Sequence, residues 1–459
     1  MKVVVKKNKI LFDNKFFTIE DLYNDDFYLF SNENVHKYFN DSFFVNELFL
    51  NFTQNFLVLE RFVLLNNITF IDLNDSSEDL FCYFKDIASK NKIEVSESFY
   101  LFKYLSTIKF YYYLITSVFY LIFLMLKIPN RVKKKIENNS ISIIRRKSSE
   151  DKIKRMNINF EIEDPFSKNS IYSFFKISTR IKWVLFSFFD SCSQYKQLLK
   201  IMRNYSGDNS KYLISKFYSK RLVHSSLYKK LLDNFFQKNN FSVFYSFNNL
   251  DRFSMMEEQI SKKYQIKLIC LPHGLEYGFI FPKPFTGDEF FATSKLASTH
   301  LNSLYKTDKF VFNKMIIKQL FKNENYGTKH RKIVFFTEPR EVEVNHYIIK
   351  TLLPLLDSLN FSLSVKLHPY DNLKDYIDYN IEIIKDFKSA IYGNICFARK
   401  STILLEAIYN NSKASAIIIN NKDKTIFNNF PSLQIDAIEQ MNSINELFNW
   451  IKLTKKNDI

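Results

Sequence analysis

Two short polar motifs adjoin apolar runs in the second half of the sequence. Lys366-Leu367-His368-Pro369 ends the run 361–365, and Ser401-Thr402 precedes the apolar-periodic segment 403–407. A strand that stops at a proline places Lys366 and His368 at the carboxyl edge of a parallel sheet, where α/β proteins bind ligands. A Ser-Thr pair at a helix start offers hydroxyls and unpaired main-chain N–H groups to an anion. Together the motifs predict a phosphate-binding site.

Further polar residues follow or enter the same predicted elements. Glu338 and Arg340 end the predicted strand 332–336 and should border the same site. Arg340 could bind a phosphate through two N–H groups, or it could be an ordinary surface charge. Glu406 lies one turn into the Ser-Thr helix. It could accept hydrogen bonds from a ribose or a base, or be an ordinary helix carboxylate.

Three residues in the middle of the chain could take a proton. His273, in Pro272-His273-Gly274, follows a predicted buried strand, and Gly274 lets the backbone turn there. Glu276 lies in the same loop. Asp251 follows another predicted strand and is either a helix N-cap or a carboxylate that deprotonates an acceptor hydroxyl. The sequence leaves the choice of general base open among the three.

The pattern of predicted elements indicates an α/β protein. From residue 241 onward, strands alternate with helices: 241–247, 266–271, 288–293, 332–336, 361–365, 381–384, 390–392 and 414–419 are strands, and 253–264, 294–305, 344–359, 372–379 and 402–410 are helices. Such alternation is typical of parallel sheets. It predicts an N-terminal domain at 1–325, a second domain at 326–440 and a C-terminal helix at 441–459.

A membrane-facing insertion is expected at 99–190. Residues 110–126 carry no charge, and residues 127–155 hold eleven Lys or Arg against three Asp or Glu, a net charge of +8. This pattern favours a helix in the membrane plane, with a transmembrane or a buried core helix as alternatives. The residues expected to meet anionic headgroups are Arg131, Lys133, Lys134, Lys135, Arg145, Arg146 and Lys147.

The net charge of +17 over 459 residues implies an acidic partner. No nucleic-acid-binding motif is visible, so a phosphorylated substrate and anionic lipid are favoured over nucleic acid. The four cysteines lack the spacing of metal ligands, and no metal site is predicted. The first residues lack a secretory signal, which predicts a cytoplasmic protein.

The order of His273-Gly274, Lys366-x-His368-Pro369 and Ser401-Thr402 resembles bacterial surface-polysaccharide glycosyltransferases of the GT-B fold. It is similar in particular to those with cytidine-nucleotide donors: sialyltransferases and polysialyltransferases, Kdo transferases, and CDP-glycerol glycerophosphotransferases. The resemblance covers residues 241–420. It implies two doubly wound Rossmann-like domains facing a cleft. The domain at 1–325 would be the acceptor-side domain and carry the membrane-associating insertion, and the domain at 326–440 would bind the nucleotide donor.

The resemblance also implies roles. His368 would contact the donor phosphate and assist its departure, Ser401 and Thr402 would bind the same phosphate, and His273 would be the base. The acidic Asp/Glu-Asp/Glu-Gly motif of the sialyl group is absent from this sequence, so the base stays open.

The expected function is metal-independent and cofactor-independent transfer of a sialic acid-like or Kdo-like sugar from a CMP-activated donor. The acceptor would be a cell-surface or lipid-linked glycan, and the enzyme would be peripheral on the inner face of the cytoplasmic membrane. The alternatives are a CDP-alditol phosphotransferase, a non-catalytic scaffold for polysaccharide assembly, and a basic nucleic-acid binder.

Overall fold

The computed structural model describes residues 1–22, 43–97, 102–131, 139–167, 169–205, 207–209, 211–247, 250–323, 332–338 and 342–457. The chain divides into two compact units. Unit 1 comprises residues 1–273 and 279–290, and unit 2 comprises residues 274–278 and 291–459. The domain boundary expected at 325 falls within 324–331, outside the described residues, and stays a prediction.

Unit 1 contains a five-stranded sheet with the strand order β3-β2-β1-β4-β5. Its strands are β1 (Lys2–Lys7), β2 (Lys9–Phe12), β3 (Lys15–Phe17), β4 (Phe70–Ser76) and β5 (Glu94–Ser96). In β1, Val3 and Val5 are buried between exposed lysines, the alternation of a strand with one buried face. Asp13 and Asn14 both have positive φ, as the tight turn between β2 and β3 requires.

A second sheet, most of it in unit 1, has six strands in the order β11-β10-β9-β8-β6-β7. These strands are β6 (Ser140–Ile144), β7 (Phe160–Ile162), β8 (Val243–Ser246), β9 (Lys267–Cys270), β10 (Glu289–Phe291) and β11 (Phe310–Val311). The pairings from β7 through β10 are parallel. Strands β6 and β7 lie inside the stretch 99–190. That stretch is therefore not a single helical insertion, because its middle part supplies two strands of this sheet.

The helices of unit 1 pack on the sheets and on one another. They are α1 (Val45–Leu48), α2 (Gln54–Leu65), α3 (Glu78–Asn91), α4 (Phe102–Lys127), α5 (Lys147–Arg155), α6 (Ile177–Tyr205), α7 (Lys211–Tyr218), α8 (Leu222–Lys238) and α9 (Arg252–Lys263). A π-helical turn, Phe49–Thr53, joins α1 to α2.

Two helical segments of unit 1 are long and apolar enough to cross a membrane. They are Val45–Leu65, of which 61% is buried, and Thr107–Lys127, of which only 33% is buried. The first is therefore a core helix of unit 1, since most of its surface is covered by protein. The second has an exposed apolar face.

Unit 2 contains a six-stranded, fully parallel sheet with the order β14-β13-β12-β15-β16-β17. Its strands are β12 (Ile333–Phe336), β13 (Leu363–Lys366), β14 (Glu382–Ile383), β15 (Ile395–Ala398), β16 (Lys413–Ile417) and β17 (Ile438–Met441). Every residue of β12 and β15 is buried, as expected for strands that helices cover on both faces.

Helices of unit 2 pack on both faces of this sheet and form two apolar cores, while the first helix of the unit contacts β11 of the second sheet. They are α10 (Lys295–Tyr305), α11 (Lys314–Phe321), α12 (Val342–Asp357), α13 (Phe387–Ile391), α14 (Ile403–Tyr409), α15 (Asn421–Asn428) and α16 (Ile444–Asn457). The α/β class with two Rossmann-like parallel sheets is thus confirmed.

Two local predictions in unit 2 were wrong. The predicted strand 390–392 belongs largely to α13 and the turn after it, and the strand lies a few residues later, at Ile395–Ala398. The predicted helix 372–379 is reduced to one 3-10 turn, Leu373–Tyr376. Both segments are short, so tertiary contacts outweigh their local pattern.

Candidate functional site

The sheet of unit 2 has a topological switch point between β12 and β15. From β12 the chain builds β13 and β14 on one side and then returns to place β15 on the other. Crossovers leave the sheet in opposite directions here, so the loops at the two carboxyl ends diverge and leave a crevice where α/β proteins bind ligands. Thr337 and Glu338 follow β12, and Ser401 and Thr402 are the third and fourth residues after β15. The predicted residues therefore lie at the position that the topology favours.

The main chain at His368 is anchored to the loop after β12. The Thr337 hydroxyl accepts the His368 N–H at 2.9 Å and donates to Asp371. The His368 carbonyl accepts the Asp371 N–H at 2.9 Å. His368 Nδ1 accepts the Tyr370 N–H at 3.2 Å, so in the neutral imidazole the proton is on Nε2. This tautomer presents a hydrogen-bond donor at the outer nitrogen, as a phosphate contact requires.

Lys366 is turned toward the outer edge of the sheet. Its ammonium donates to the Lys385 carbonyl at 2.9 Å, beyond β14. Burial lowers the pKa of Lys366, and the nearby Asp386 carboxylate opposes that shift. Pro369 is exposed next to His368. Because β13 and β15 flank β12, His368 and the Ser401-Thr402 pair follow strands two spacings apart, about 10 Å.

The first turn of α14 differs from the prediction. The N–H of Ile403 donates to the Ser401 hydroxyl at 3.4 Å. The N–H groups of Leu404 and Leu405 donate to the carbonyls of Ser401 and Thr402 at 3.2 and 3.1 Å. The expected unpaired N–H groups are therefore used within the turn, and the two hydroxyls are what this turn offers an anion.

Gly274 belongs to unit 2 and approaches the Thr402 hydroxyl closely. A Cβ at residue 274 would lie 3.2 Å from Thr402 Oγ1. The absence of a side chain at this position leaves room for the hydroxyl. Gly274 is therefore a neighbour of the Ser-Thr turn.

Sequence reasoning missed a buried ionic cluster directly before the Ser-Thr pair. Arg399 and Asp423 are fully buried, and the guanidinium donates twice to the carboxylate, at 2.8 and 2.6 Å. Lys400 Nζ donates to the same carboxylate at 3.0 Å. Two cations thus share one carboxylate at the carboxyl end of β15. The run Arg-Lys-Ser-Thr between a strand and a helix was the available signal.

Three more residues were predicted to border the donor site: Glu338, Glu406 and Arg340. Glu338 Oε1 accepts the Lys400 N–H at 3.4 Å and so joins the loops after β12 and β15 across the switch point. Glu406 is half-buried in the first turn of α14. Arg340 lies in 339–341, outside the described residues, and its predicted role stays a prediction.

Glu276 is a structural residue of unit 2. Its carboxylate is fully buried and accepts the Thr293 N–H and the Thr293 hydroxyl, both at 2.7 Å. Burial raises the pKa of Glu276 to about 7 despite these hydrogen bonds. Its predicted role as general base is wrong on physical grounds, because a base must reach the acceptor hydroxyl and both oxygens are enclosed.

The other two candidate bases lie in unit 1. Asp251 is the N-cap of α9, and its Oδ1 accepts the Ser254 N–H at 2.8 Å. His273 Nε2 accepts a hydrogen bond from Arg146 at 2.8 Å. Burial, Lys152 and Arg146 lower the pKa of His273 to about 4, and Asp251 opposes this shift. Because Arg146 has only donors, neutral His273 carries its proton on Nδ1 and has no nitrogen left to accept one.

Two arginines among the seven predicted headgroup-binding cations are paired with carboxylates inside unit 1. Arg131 pairs with Glu161 at 2.8 Å. Arg145 is largely buried and pairs with Glu257 at 2.5 Å. These two are not available to lipid, so the prediction was wrong for them. Lys147 has an exposed side chain, whereas Lys133, Lys134 and Lys135 lie in 132–138, outside the described residues.

No group of three or more His, Cys, Asp or Glu side chains that could hold a metal occurs among the described residues. No protein-family model matches the sequence, and no curated protein matches it. Among solved structures, the chain is similar to one described as a UDP-N-acetylglucosamine 2-epimerase from Listeria monocytogenes. The TM-score is 0.42 at 12% identity, over 71% of this chain and 89% of that chain.

Proposed function

We propose that the protein is a glycosyltransferase whose nucleotide-activated donor binds at the switch point of unit 2. The observation that carries this proposal is His368, held by Thr337 at the end of β13 with its Nδ1 occupied, in the same sheet edge as the Ser401-Thr402 turn. In this tautomer Nε2–H can donate to a phosphate oxygen. Fixed donors of this kind stabilise the negative charge of a leaving phosphate.

In the proposed reaction, an acceptor hydroxyl oxygen attacks the anomeric carbon of the donor. The bond between that carbon and the phosphate oxygen breaks, and the nucleotide leaves with the electron pair. His368, Ser401 and Thr402 stabilise the phosphate, and the cations around Asp423 supply a positive field. The acceptor hydroxyl gives its proton to a general base, whose identity stays a prediction.

The donor is proposed to be CMP-linked, with a CDP-alditol as the second candidate. The test is thermal unfolding with CMP, CDP, UMP, UDP and GDP for the wild type, Lys366→Ala, His368→Ala and Lys413→Ala. A ligand that binds the folded state raises its melting temperature by mass action. Lys413 is a matched control because it is exposed at the amino edge of the same sheet, where it begins β16.

We expect a shift with cytidine nucleotides that is lost in His368→Ala and kept in Lys413→Ala. Lys366→Ala should change the shift little, because the Lys366 ammonium donates beyond β14. A shift with uridine or guanosine nucleotides alone would keep the site and reject the cytidine donor. A shift that survives His368→Ala would reject the site. No shift with any nucleotide would favour the non-catalytic scaffold. Donor-hydrolysis assays with CMP-sugars and CDP-alditols then separate glycosyl from alditol-phosphate transfer.

We also propose that unit 1 rests on the inner face of the cytoplasmic membrane through helix α4. One side of α4 is buried, including Phe110, Leu114 and Met125, and the opposite side exposes apolar residues such as Phe119, which is 68% exposed. The exposed set on α4 is Ile108, Tyr111, Tyr112, Ile115, Phe119, Tyr120, Phe123 and Leu126. A helix packed along one side on its own protein suits an in-plane position better than a span.

Helix α6 contacts α4 and adds exposed apolar residues, among them Phe189. Lys127 lies 4.0 Å from the Phe123 ring and Lys182 lies 5.6 Å from the Phe186 ring. Aromatic rings with ammonium groups beside them suit the boundary between acyl chains and headgroups. Neither lysine was among the headgroup contacts expected from the sequence.

Co-sedimentation with vesicles of neutral lipid, and of neutral mixed with anionic lipid, tests this assignment. The double variant Phe119→Ser/Phe189→Ser should lose most vesicle binding because both rings are 68% exposed. Phe166→Ser is the control, as Phe166 is 58% exposed and lies in the turn after β7. Equal binding by the double variant and the control would reject α4 and α6 as the membrane surface.

A further inference from the structure

The second sheet of the protein has its own switch point, between β6 and β8, and both strands lie in unit 1. From β6 the chain builds β7 on one side and later returns to place β8 on the other. Arg145 and Arg146 directly follow β6, and Asp251 lies in the loop after β8. The carboxyl ends of strands at such a point are where α/β sheets bind ligands. Ligand-binding chemistry is therefore expected at this edge.

The side chains at this edge are predominantly cationic. Arg146 is exposed, and within the part of the chain that the structure describes the one hydrogen bond of its side chain goes to His273. Lys152 is only 6% exposed, and its ammonium donates to the carbonyls of Pro272 and His273 at 3.4 and 3.1 Å. Arg145 is neutralised by Glu257. Asp251 is the acidic group whose charge acts on His273, against the two cations Arg146 and Lys152.

The placement of Arg146 is unfavourable without an anion. Arg146 is the N-cap of α5, in an extended conformation and without a side-chain capping bond, and Lys147 is the first residue of the helix. Cations at a helix N-terminus are repelled by the helix dipole. In the first turn Glu150 compensates Lys147, which lies 3.7 Å from it, and Glu150 also pairs with Lys154. Arg146 has no such compensation among the described residues.

His273 orients the Arg146 guanidinium. The guanidinium donates one N–H to His273 Nε2 at 2.8 Å, which fixes the plane of its remaining donors. The guanidinium keeps its full positive charge because its partner, His273, is neutral. A carboxylate partner would cancel that charge. His273 is thus a positioning residue for Arg146.

We propose that Arg146, oriented by His273 and supported by the charge of Lys152, binds a phosphate group of the acceptor substrate. That the phosphate belongs to an acceptor substrate rests on the proposed function, whereas the phosphate site itself does not. A phosphate offers several oxygens to the remaining guanidinium N–H groups, the geometry that arginine binds best. The acceptor class is therefore a phosphorylated glycan or glycolipid, as a monoester or a diester.

The test follows His273 directly. Protein with isotope-labelled histidine is titrated with inorganic phosphate, glycerol phosphate and dimethyl phosphate at constant ionic strength, and the imidazole nitrogens are observed by NMR. His273→Gln assigns the His273 signals. A bound phosphate should move these signals and raise the pKa of His273 from about 4, because the anion offsets the field of Arg146 and Lys152. Asp251 also affects the pKa of His273, and it is kept in every variant so that its contribution stays constant.

Arg146→Gln and Lys147→Gln form the matched pair, since each removes one positive charge at adjacent positions. Arg146→Gln should weaken phosphate binding about tenfold, the loss expected for a charged hydrogen bond, while Lys147→Gln changes it little. Equal weakening by the two, or His273 signals that ignore phosphate, would overturn the proposal. Preference among the three probes distinguishes free phosphate, a monoester and a diester.

This outcome is separable from that of the proposed function. The His273 signals report unit 1, whereas the nucleotide-dependent melting shift depends on His368 in unit 2. A His273 response without any nucleotide shift would leave the phosphate site standing and reject the glycosyltransferase. A nucleotide-dependent melting shift without a His273 response would support the glycosyltransferase and reject the phosphate site.

Discussion

The buried carboxylate of Glu276 should make unit 2 less stable as the pH rises. Glu276 lies in the segment 274–278, and Thr293 satisfies both of its oxygens. The Thr293 hydroxyl also contacts the Ser432 hydroxyl at 2.6 Å, which contacts the Ser294 hydroxyl at 2.7 Å. All the groups around this carboxylate are neutral hydrogen-bonding groups, and burial raises the pKa of Glu276 from 4.5 to about 7.

The sign and size of the effect follow from linkage. Below the unfolded pKa near 4.5, Glu276 is protonated in both states and has no effect on the pH dependence. Between that pKa and about 7, the folded state keeps a proton that the unfolded state has lost, so stability falls as the pH rises. Above about 7 both states are ionised and the loss is complete. A shift of this size corresponds to about 3 kcal/mol of unfolding free energy.

Glu276→Gln isolates this effect from the other titrating groups. An amide in the same place accepts the Thr293 N–H through its oxygen and donates to the Thr293 hydroxyl, so the hydrogen-bond chain survives with one proton reversed. Relative to the wild type, the variant should therefore gain about 3 kcal/mol between about pH 5 and about pH 8. Glu439→Gln, an exposed carboxylate on β17, is the control and should show no such gain.

Urea unfolding in a Trp183→Phe background measures the difference. The chain has two tryptophans, Trp183 in unit 1 and Trp450 in unit 2, so the remaining fluorescence reports unit 2. Trp450 is buried and should respond to unfolding. If Glu276→Gln and the wild type differ by the same amount at both pH values, the carboxylate is ionised in the folded state and the reasoning fails.

Three further substitutions test other contacts by urea or thermal unfolding. Arg145→Met should lower the free energy of unfolding by about 3–5 kcal/mol because it leaves Glu257 charged and buried. The double variant Arg145→Met/Glu257→Gln should recover part of this loss, and no recovery would contradict the pairing. Gly278→Ala should cost about 1–3 kcal/mol because its Cβ would lie 3.0 Å from the Pro431 ring, and a neutral result would contradict that packing. Asp251→Ala should lower the free energy of unfolding by about 1 kcal/mol because α9 loses its N-cap. Asp251→Asn keeps the cap, so an equal loss in the two variants would exclude capping.

The strands and helices of unit 2 were largely predictable. Strands at 332–336 and 361–365 were placed within two residues of β12 and β13 because an apolar run ended by polar residues or proline is a local signal. The same signal located His368 at a strand end, and the apolar-periodic segment 403–407 located the Ser-Thr pair at a helix start. Strand β15 was misplaced because the predicted run 390–392 is also apolar, and a strand buried on both faces has no alternation to mark its limits.

In the basic stretch, charge density hid a strand. Ser140–Ile144 is five residues of apolar and hydroxyl side chains between lysine- and arginine-rich flanks, and the flanks led the interpretation toward a membrane surface. In the fold, the same arginines follow a central strand. Arg145 meets Glu257, 112 residues away, and Arg146 meets His273, 127 residues away.

Residue order alone established the α/β class, most strand ends and the polar residues that stand there, because these depend on contacts within a few neighbours along the chain. The tertiary structure decided which of those residues can act. It enclosed Glu276, gave Arg145 a partner, turned His273 into an acceptor for Arg146 and put Arg399 and Lys400 around Asp423. The charge, tautomer and reach of a side chain depend on groups brought close by sheet topology, and sequence separation does not encode those distances.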